Sequence, residues 1–139
     1  MMEQFAPYAH AIVALAGMAI LTLLMSPLSA MRKTSDGLAP GCQPEANYEN
    51  ATYRWHRAYS NLTETTGSFA LVVAAAILSG ADPFWVNLLA SAFLASRILL
   101  IVVHVKGIGK PHMGVRSFTY VFGWVMCLGL AALAILAVF

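Results

Sequence analysis

The sequence predicts an all-α integral membrane protein, a single domain of four transmembrane helices in an up-down-up-down bundle. Three observations carry this prediction. First, the 139 residues are 60% hydrophobic and only 10% charged, whereas an average soluble domain is about 25% charged. The mean hydropathy of +0.73 calls for lipid as solvent. Second, four apolar runs each approach the roughly 20 residues that a helix needs to cross a hydrocarbon core. Third, the connections between these runs are short or moderate, which favours antiparallel neighbours. The net charge of +2 gives no basis for nucleic-acid binding, so the bilayer is the first partner expected.

The first span is expected over residues 7–31, with its apolar body from Ala11 to Met25. Pro27 should kink or end it near its far edge. This run has the length of a secretory signal, but no basic stretch precedes it and Glu3 is acidic. Arg32 and Lys33 follow it directly, as suits a retained anchor. From Arg32 to Asn50 the chain is polar and contains Gly37, Pro40, Gly41 and Pro44, the composition of a loop. The second span is expected over 51–79, amphipathic in its first turns and apolar in its last. It stops at Gly80-Ala81-Asp82-Pro83, a helix stop and tight turn. Pro83 suits the first turn of a third span over 84–105. Lys106 to Gly114 reads as a short basic loop, and the fourth span follows over 115–139.

Lys and Arg placement sets the orientation. Arg32, Lys33, Arg54, Arg57, Lys106, Lys110 and Arg116 all fall at the end of the bundle opposite the turn at 80–83. The positive-inside bias then places both long loops in the cytoplasm and both termini on the other side. Asn50-Ala51-Thr52 and Asn61-Leu62-Thr63 match the glycosylation pattern, but on the cytoplasmic side or inside a helix they are chance matches. Cys42 lies in a polar loop and Cys127 in an apolar run, which argues against a disulfide. No metal-ligand spacing such as C-x-x-C occurs. Small residues four apart (Ala70 and Ala74, Ala76 and Gly80, Ser91 and Ala95, Ala92 and Ser96) permit close helix approach in lipid.

Polar residues inside the spans need a reason. A charge at the centre of a membrane helix costs roughly 2.5–3.5 kcal/mol on insertion scales, so such residues usually face a bundle interior or a wet cavity. Arg57, Asn61 and Glu64, at spacing i, i+4, i+7, share one narrow stripe of the second span. Arg97 and His104 are seven apart on the third span and nearly share a stripe. Arg116 and Tyr120 are one turn apart at the start of the fourth, with Ser117 beside them. Arg32 lies just past the first span. Each has a plain structural role open to it: Arg57 as a headgroup anchor, Glu64 as an ion-pair partner of Arg97, Asn61 as a hydrogen bond between helices. Together they converge. Arg57 to Glu64 and Arg97 to His104 each cover about 10 Å of helix axis from the same end. The first-turn N–H groups of the fourth span add a positive dipole end. A cavity ringed by these groups would suit an anionic ligand bearing amine and amide groups.

These residues carry a resemblance. Arg57-Ala58-x-x-Asn61-x-x-Glu64 on the second of four spans resembles the membrane-associated proteins in eicosanoid and glutathione metabolism, the MAPEG family. Arg116-Ser117-Phe118-Thr119-Tyr120 is similar to the start of the fourth helix in its microsomal prostaglandin E synthase branch, and the chain as a whole resembles that branch and the microsomal glutathione transferases. The resemblance implies a homotrimer with glutathione as cosubstrate, bound between subunits and open to the cytoplasm. It implies that Asn61 and Glu64 hold the peptide part, that Arg57 and Arg116 meet carboxylates or the thiolate, and that Ser117 and Tyr120 lie near the sulfur or the glycyl end. Arg116 and Ser117 would be the catalytic residues. Arg32, Arg97 and His104 would complete the binding set, with Arg32 reaching across from an adjacent subunit. Two positions depart from the pattern. Ser60 stands where some members have an arginine, and His104 where many have a tyrosine. A serine cannot replace bidentate recognition of a carboxylate.

The function expected on these grounds is a glutathione-dependent transferase or peroxidase acting on lipophilic electrophiles or lipid hydroperoxides. The alternatives are a non-catalytic relative that works by binding, and a small proton-coupled transporter using Glu64. A haem anchor through His10 and His104 is disfavoured, because those residues fall near opposite faces of the membrane.

Overall fold

Capping residues set the helix boundaries. In the computed structural model, which describes residues 2–110 and 112–139, the long helices are α1 (Ala9–Ser35), α2 (Ala51–Leu78), α3 (Pro83–Lys106) and α4 (Val115–Leu136). Two single turns, Met2–Phe5 and Ala6–Tyr8, lead into α1. The Asn50 side chain accepts from the Thr52 N–H at 2.7 Å and starts α2. Asp82 starts α3 by accepting from the N–H groups of Phe84 and Trp85 at 2.9 and 3.3 Å. Pro83 follows at a position where no intrahelical donor is needed. Gly107 ends α3 with φ 68°, the left-handed C-terminal conformation open to glycine.

All four helices are long and apolar enough to cross a membrane. They agree with the expected spans except at two ends. α1 runs through Pro27 and on to Ser35 rather than stopping near residue 31. Its last turn is pinned from outside: Lys33 donates to the Pro40 carbonyl at 3.2 Å, and the Thr52 hydroxyl of α2 donates to the Asp36 carboxylate just beyond. These ties hold the helix past the point where Pro27 removes one backbone bond. α4 ends at Leu136, three residues short of the expected end.

α2 and α3 form the middle of the bundle. α1 and α4 each pack against both, from opposite sides, and barely meet one another. The core between the middle helices is built on Phe69 and Phe93, whose rings stack with centroids 4.1 Å apart. Met18, Leu62, Val73, Val86 and Leu130 close around them. Of the small residues, Ala76 and Ser96 are buried between helices, while Ala74, Ser91 and Ala95 face outward. At the end with the 79–82 turn, Tyr8 donates to the Ala81 carbonyl at 2.6 Å. There Asn87 bridges to α1, accepting from Ala11 N–H and donating to Pro7 O. Large apolar residues such as Val13, Leu23, Leu71 and Phe118 cover the outside, as hydrocarbon solvent requires. The opposite end, where α1 and α3 finish and α2 and α4 begin, is where the polar residues gather.

Candidate functional site

At that end a cavity of about 480 Å³ is lined by Tyr48, Arg57, Asn61, Glu64, His104, Arg116, Ser117, Tyr120 and Val121. α2 presents three of these from one stripe. Asn61 is buried, and its amide is used at both ends: Nδ2 lies 2.8 Å from His104 Nε2, and Oδ1 accepts from Arg57 Nη2 at 3.4 Å. The arginine orients the amide so that Nδ2 faces His104 Nε2. The histidine that departs from the family pattern is thus tied into the α2 stripe. Arg57 Nη1 also lies 3.5 Å from Glu64 Oε1. Both side chains of that pair are partly exposed, at 32% and 46%. A pair so open to solvent is weak and exchanges readily for a ligand's own charges.

α4 supplies the opposite wall. Arg116 sits in its first turn and is 7% exposed. It donates to the carbonyls of Lys110 and Gly109, each at the long distance of 3.5 Å. Its buried Nε has no partner among the described residues. Gly114, before the helix, offers no side-chain cap, so the positive end of α4 is left uncapped at Arg116 and Ser117, which line the cavity. Ser117 and Tyr120 follow one face of the same helix. The charged groups at the cavity are therefore two guanidiniums and one carboxylate, a net positive set beside donors from Asn61, Ser117 and Tyr120.

Two expected residues do not reach this cavity. Arg32 is exposed beyond it, on the last turn of α1. Arg97 is fully buried behind it, between α3 and α4. Its Nη2 donates to the carbonyls of Thr119 and Tyr120, both at 3.0 Å, and its Nε to Ser96 Oγ at 3.2 Å. Its guanidinium carbon lies 5.0 Å from the Phe93 ring centroid and 5.3 Å from that of Tyr120. It therefore braces Tyr120 from behind. The expected pairing of Glu64 with Arg97 is replaced by the pairing with Arg57. Ser60 does not line the cavity.

Tyr48 was not legible as a site residue. It comes from the loop between α1 and α2, and its position depends on Arg54, which donates to the carbonyls of Tyr48 and Glu49 at 2.8 Å and to Val105 O at 3.4 Å. A tyrosine two residues before a helix cap was the available signal. Beside the polar cavity runs an apolar groove of about 720 Å³ between α3 and α4. Ala92, Ala95, Ser96 and Leu99 form one side, and Phe118, Thr119, Val121 and Phe122 the other. Val121 lines both spaces. A polar cavity with cationic and hydroxyl groups thus adjoins a lipid-facing apolar channel.

Among curated proteins there is no significant match. The model of the MAPEG family matches residues 8–136, which takes in all four long helices. The chain belongs to the MAPEG family.

Proposed function

We propose that this protein is a membrane-embedded glutathione-dependent transferase or peroxidase acting on lipophilic electrophiles or lipid hydroperoxides. The observation that carries the reading is convergence: Arg57, Asn61, Glu64, His104, Arg116, Ser117 and Tyr120, drawn from three helices, line a single cavity. Glutathione offers two carboxylates, one ammonium group, two amides and a thiol. Arg57 complements a carboxylate and Glu64 the ammonium, while Asn61 stays beside the peptide. Arg116, exposed Arg32 from an adjacent subunit of a homotrimer, and the hydroxyls of Ser117 and Tyr120 complete the set.

The chemistry follows from the thiol. A thiol of pKa about 8.5 is mostly protonated at neutral pH, and the thiolate is the nucleophile. Arg116, a hydroxyl from Ser117 or Tyr120, and the α4 dipole favour the thiolate, with the proton released to water. In transfer, the sulfur forms a bond to an electrophilic carbon while its leaving group or π electrons depart. In peroxide reduction, the sulfur takes the outer oxygen as the O–O bond breaks and the lipid alcohol leaves. A second glutathione then converts the sulfenic acid to disulfide and water. The groove lined by Phe118 and Phe122 offers the apolar partner a path from the bilayer to this sulfur. Two arginines facing Glu64 weigh against a carboxylate free to carry cationic drugs.

Glutathione binding by detergent-purified protein tests the reading, with thiolate ultraviolet absorbance as the second readout. Arg116→Ala should lower turnover on the order of 10²-fold, as does removal of other groups that stabilise a developing anion, with folded protein retained. Glu64→Gln should weaken binding with less effect on the bound thiol. No binding at millimolar glutathione would sink the proposal. Binding without thiolate in the unaltered protein would favour a non-catalytic relative.

A further inference from the structure

Among the described residues, Tyr48 is the one lining residue of the polar cavity that no helix supplies. Its ring centroid lies 4.0 Å from the guanidinium carbon of Arg116. On its other contacts the ring meets Tyr53 edge-on at 5.1 Å and lies nearly parallel to His104 at 6.0 Å. Its backbone carbonyl is held by Arg54 at 2.8 Å. Among the described residues Arg116 has little else to hold it: two carbonyl contacts at 3.5 Å and an Nε without a hydrogen-bond partner. Among the described residues the Arg57–Glu64 contact is the ion pair, and Arg116 has no carboxylate. The tyrosine face is therefore a side-chain support of this cation beside two long carbonyl contacts.

The choice of support has a chemical effect. A carboxylate partner would neutralise Arg116 and occupy the N–H edge that recognises anions. An aromatic face attracts the cation through its quadrupole and leaves that edge free. We propose that Tyr48 is a positioning residue of the site: its ring holds the Arg116 guanidinium at the cavity wall with its charge intact, and the N–H groups, tied only by carbonyl contacts at 3.5 Å, can turn to an anionic sulfur. The loop between α1 and α2 is then part of the site, fastened by Arg54. The role assigned to the sulfur rests on the function proposed above; the support of Arg116 by Tyr48 does not.

The test has two arms. The first needs no glutathione. In protein labelled with nitrogen-15 arginine, ring current from Tyr48 should displace the Arg116 Nε–H resonance. Tyr48→Leu should remove that displacement and Tyr48→Phe retain it. An unmoved resonance in Tyr48→Leu overturns the proposal whatever the ligand proves to be. The second arm reads the thiolate fraction of bound glutathione against pH. Tyr48→Leu should lower the thiolate-to-thiol ratio about two- to thirtyfold at a given pH, the range of an exposed to a fully desolvated cation–π contact. Tyr48→Phe should match the unaltered protein. A series of increasingly fluorinated phenylalanines at position 48 keeps the ring's shape while draining its face charge, and so guards against misfolding. The thiolate fraction should fall stepwise along it. A flat series, or equal loss in Tyr48→Phe, overturns the proposal. Absence of glutathione binding in the unaltered protein removes the assigned function, and the first arm still decides whether Tyr48 holds Arg116.

Discussion

Arg97 and His104 share nearly one stripe of α3, yet only His104 reaches the cavity. The cause lies in helix geometry. Side chains tilt toward the N-terminus of their helix. α3 arrives at the site end with its C-terminus, so both side chains lean away from the site, and Arg97, about 10 Å deeper along the axis than His104, falls behind the cavity. α2 and α4 begin at the site end, so Arg57 and Arg116 lean toward it. Stripe spacing alone gave Asn61, Glu64, Arg116 and Tyr120 correctly as neighbours, because on those helices tilt and stripe agree. It could not separate Arg97 from them. The space around Arg97 is set by Gly123: a Cβ there would come within 2.6 Å of Ser96 Oγ and 2.9 Å of Arg97 Cζ. Gly123→Ala should therefore destabilise the protein by about 1–3 kcal/mol, the usual cost of overpacking. Thermal unfolding in detergent measures this. Tyr120, whose carbonyl Arg97 holds, should lose its position in the same variant.

The helices were legible as elements because hydropathy and length suffice to find a spanning segment. Their ends were legible where a local cap decides them, as at Asn50, Asp82 and Gly107. The end of α1 was not, because tertiary ties from Lys33 and Asp36 override the local effect of Pro27. Tyr48 escaped notice for a related reason: a long arginine side chain reaching back to loop carbonyls leaves no periodic trace. The start of α2 serves both the helix and the loop. Asn50→Ala should cost about 1 kcal/mol through loss of the cap. Chemical or thermal unfolding will register that loss. It should also raise loop mobility around Tyr48, readable as faster amide exchange over residues 45–52.

For the whole molecule, the charge asymmetry between the two ends gives an orientation that a natural probe can test. Cys42 is a free, exposed thiol in the loop between α1 and α2, while Cys127 is half-buried in α4. With the site facing the cytoplasm, a membrane-impermeant maleimide should leave Cys42 unlabelled in intact cells and label it after permeabilisation. Labelling in intact cells would reverse the proposed orientation. The separation of α1 from α4 also limits what one chain can build: the cavity draws on α2, α3, α4 and the first loop, and α1 adds nothing to its lining. Exposed Arg32 at the end of α1 is free to serve a neighbour, which is how the homotrimer expected from the sequence would use it.

The burial of Arg97 also bears on how the chain enters the bilayer. Ribosomes deliver α3 before α4, so the guanidinium reaches the membrane before the Thr119 and Tyr120 carbonyls that receive it arrive there. An arginine in that state opposes insertion by roughly 2.5–3.5 kcal/mol, and the eight residues from Gly107 to Gly114 leave little chain between the two helices. α3 and α4 are thus built to leave the translocon as a hairpin, with the arginine's acceptors supplied by the second arm of the same pair.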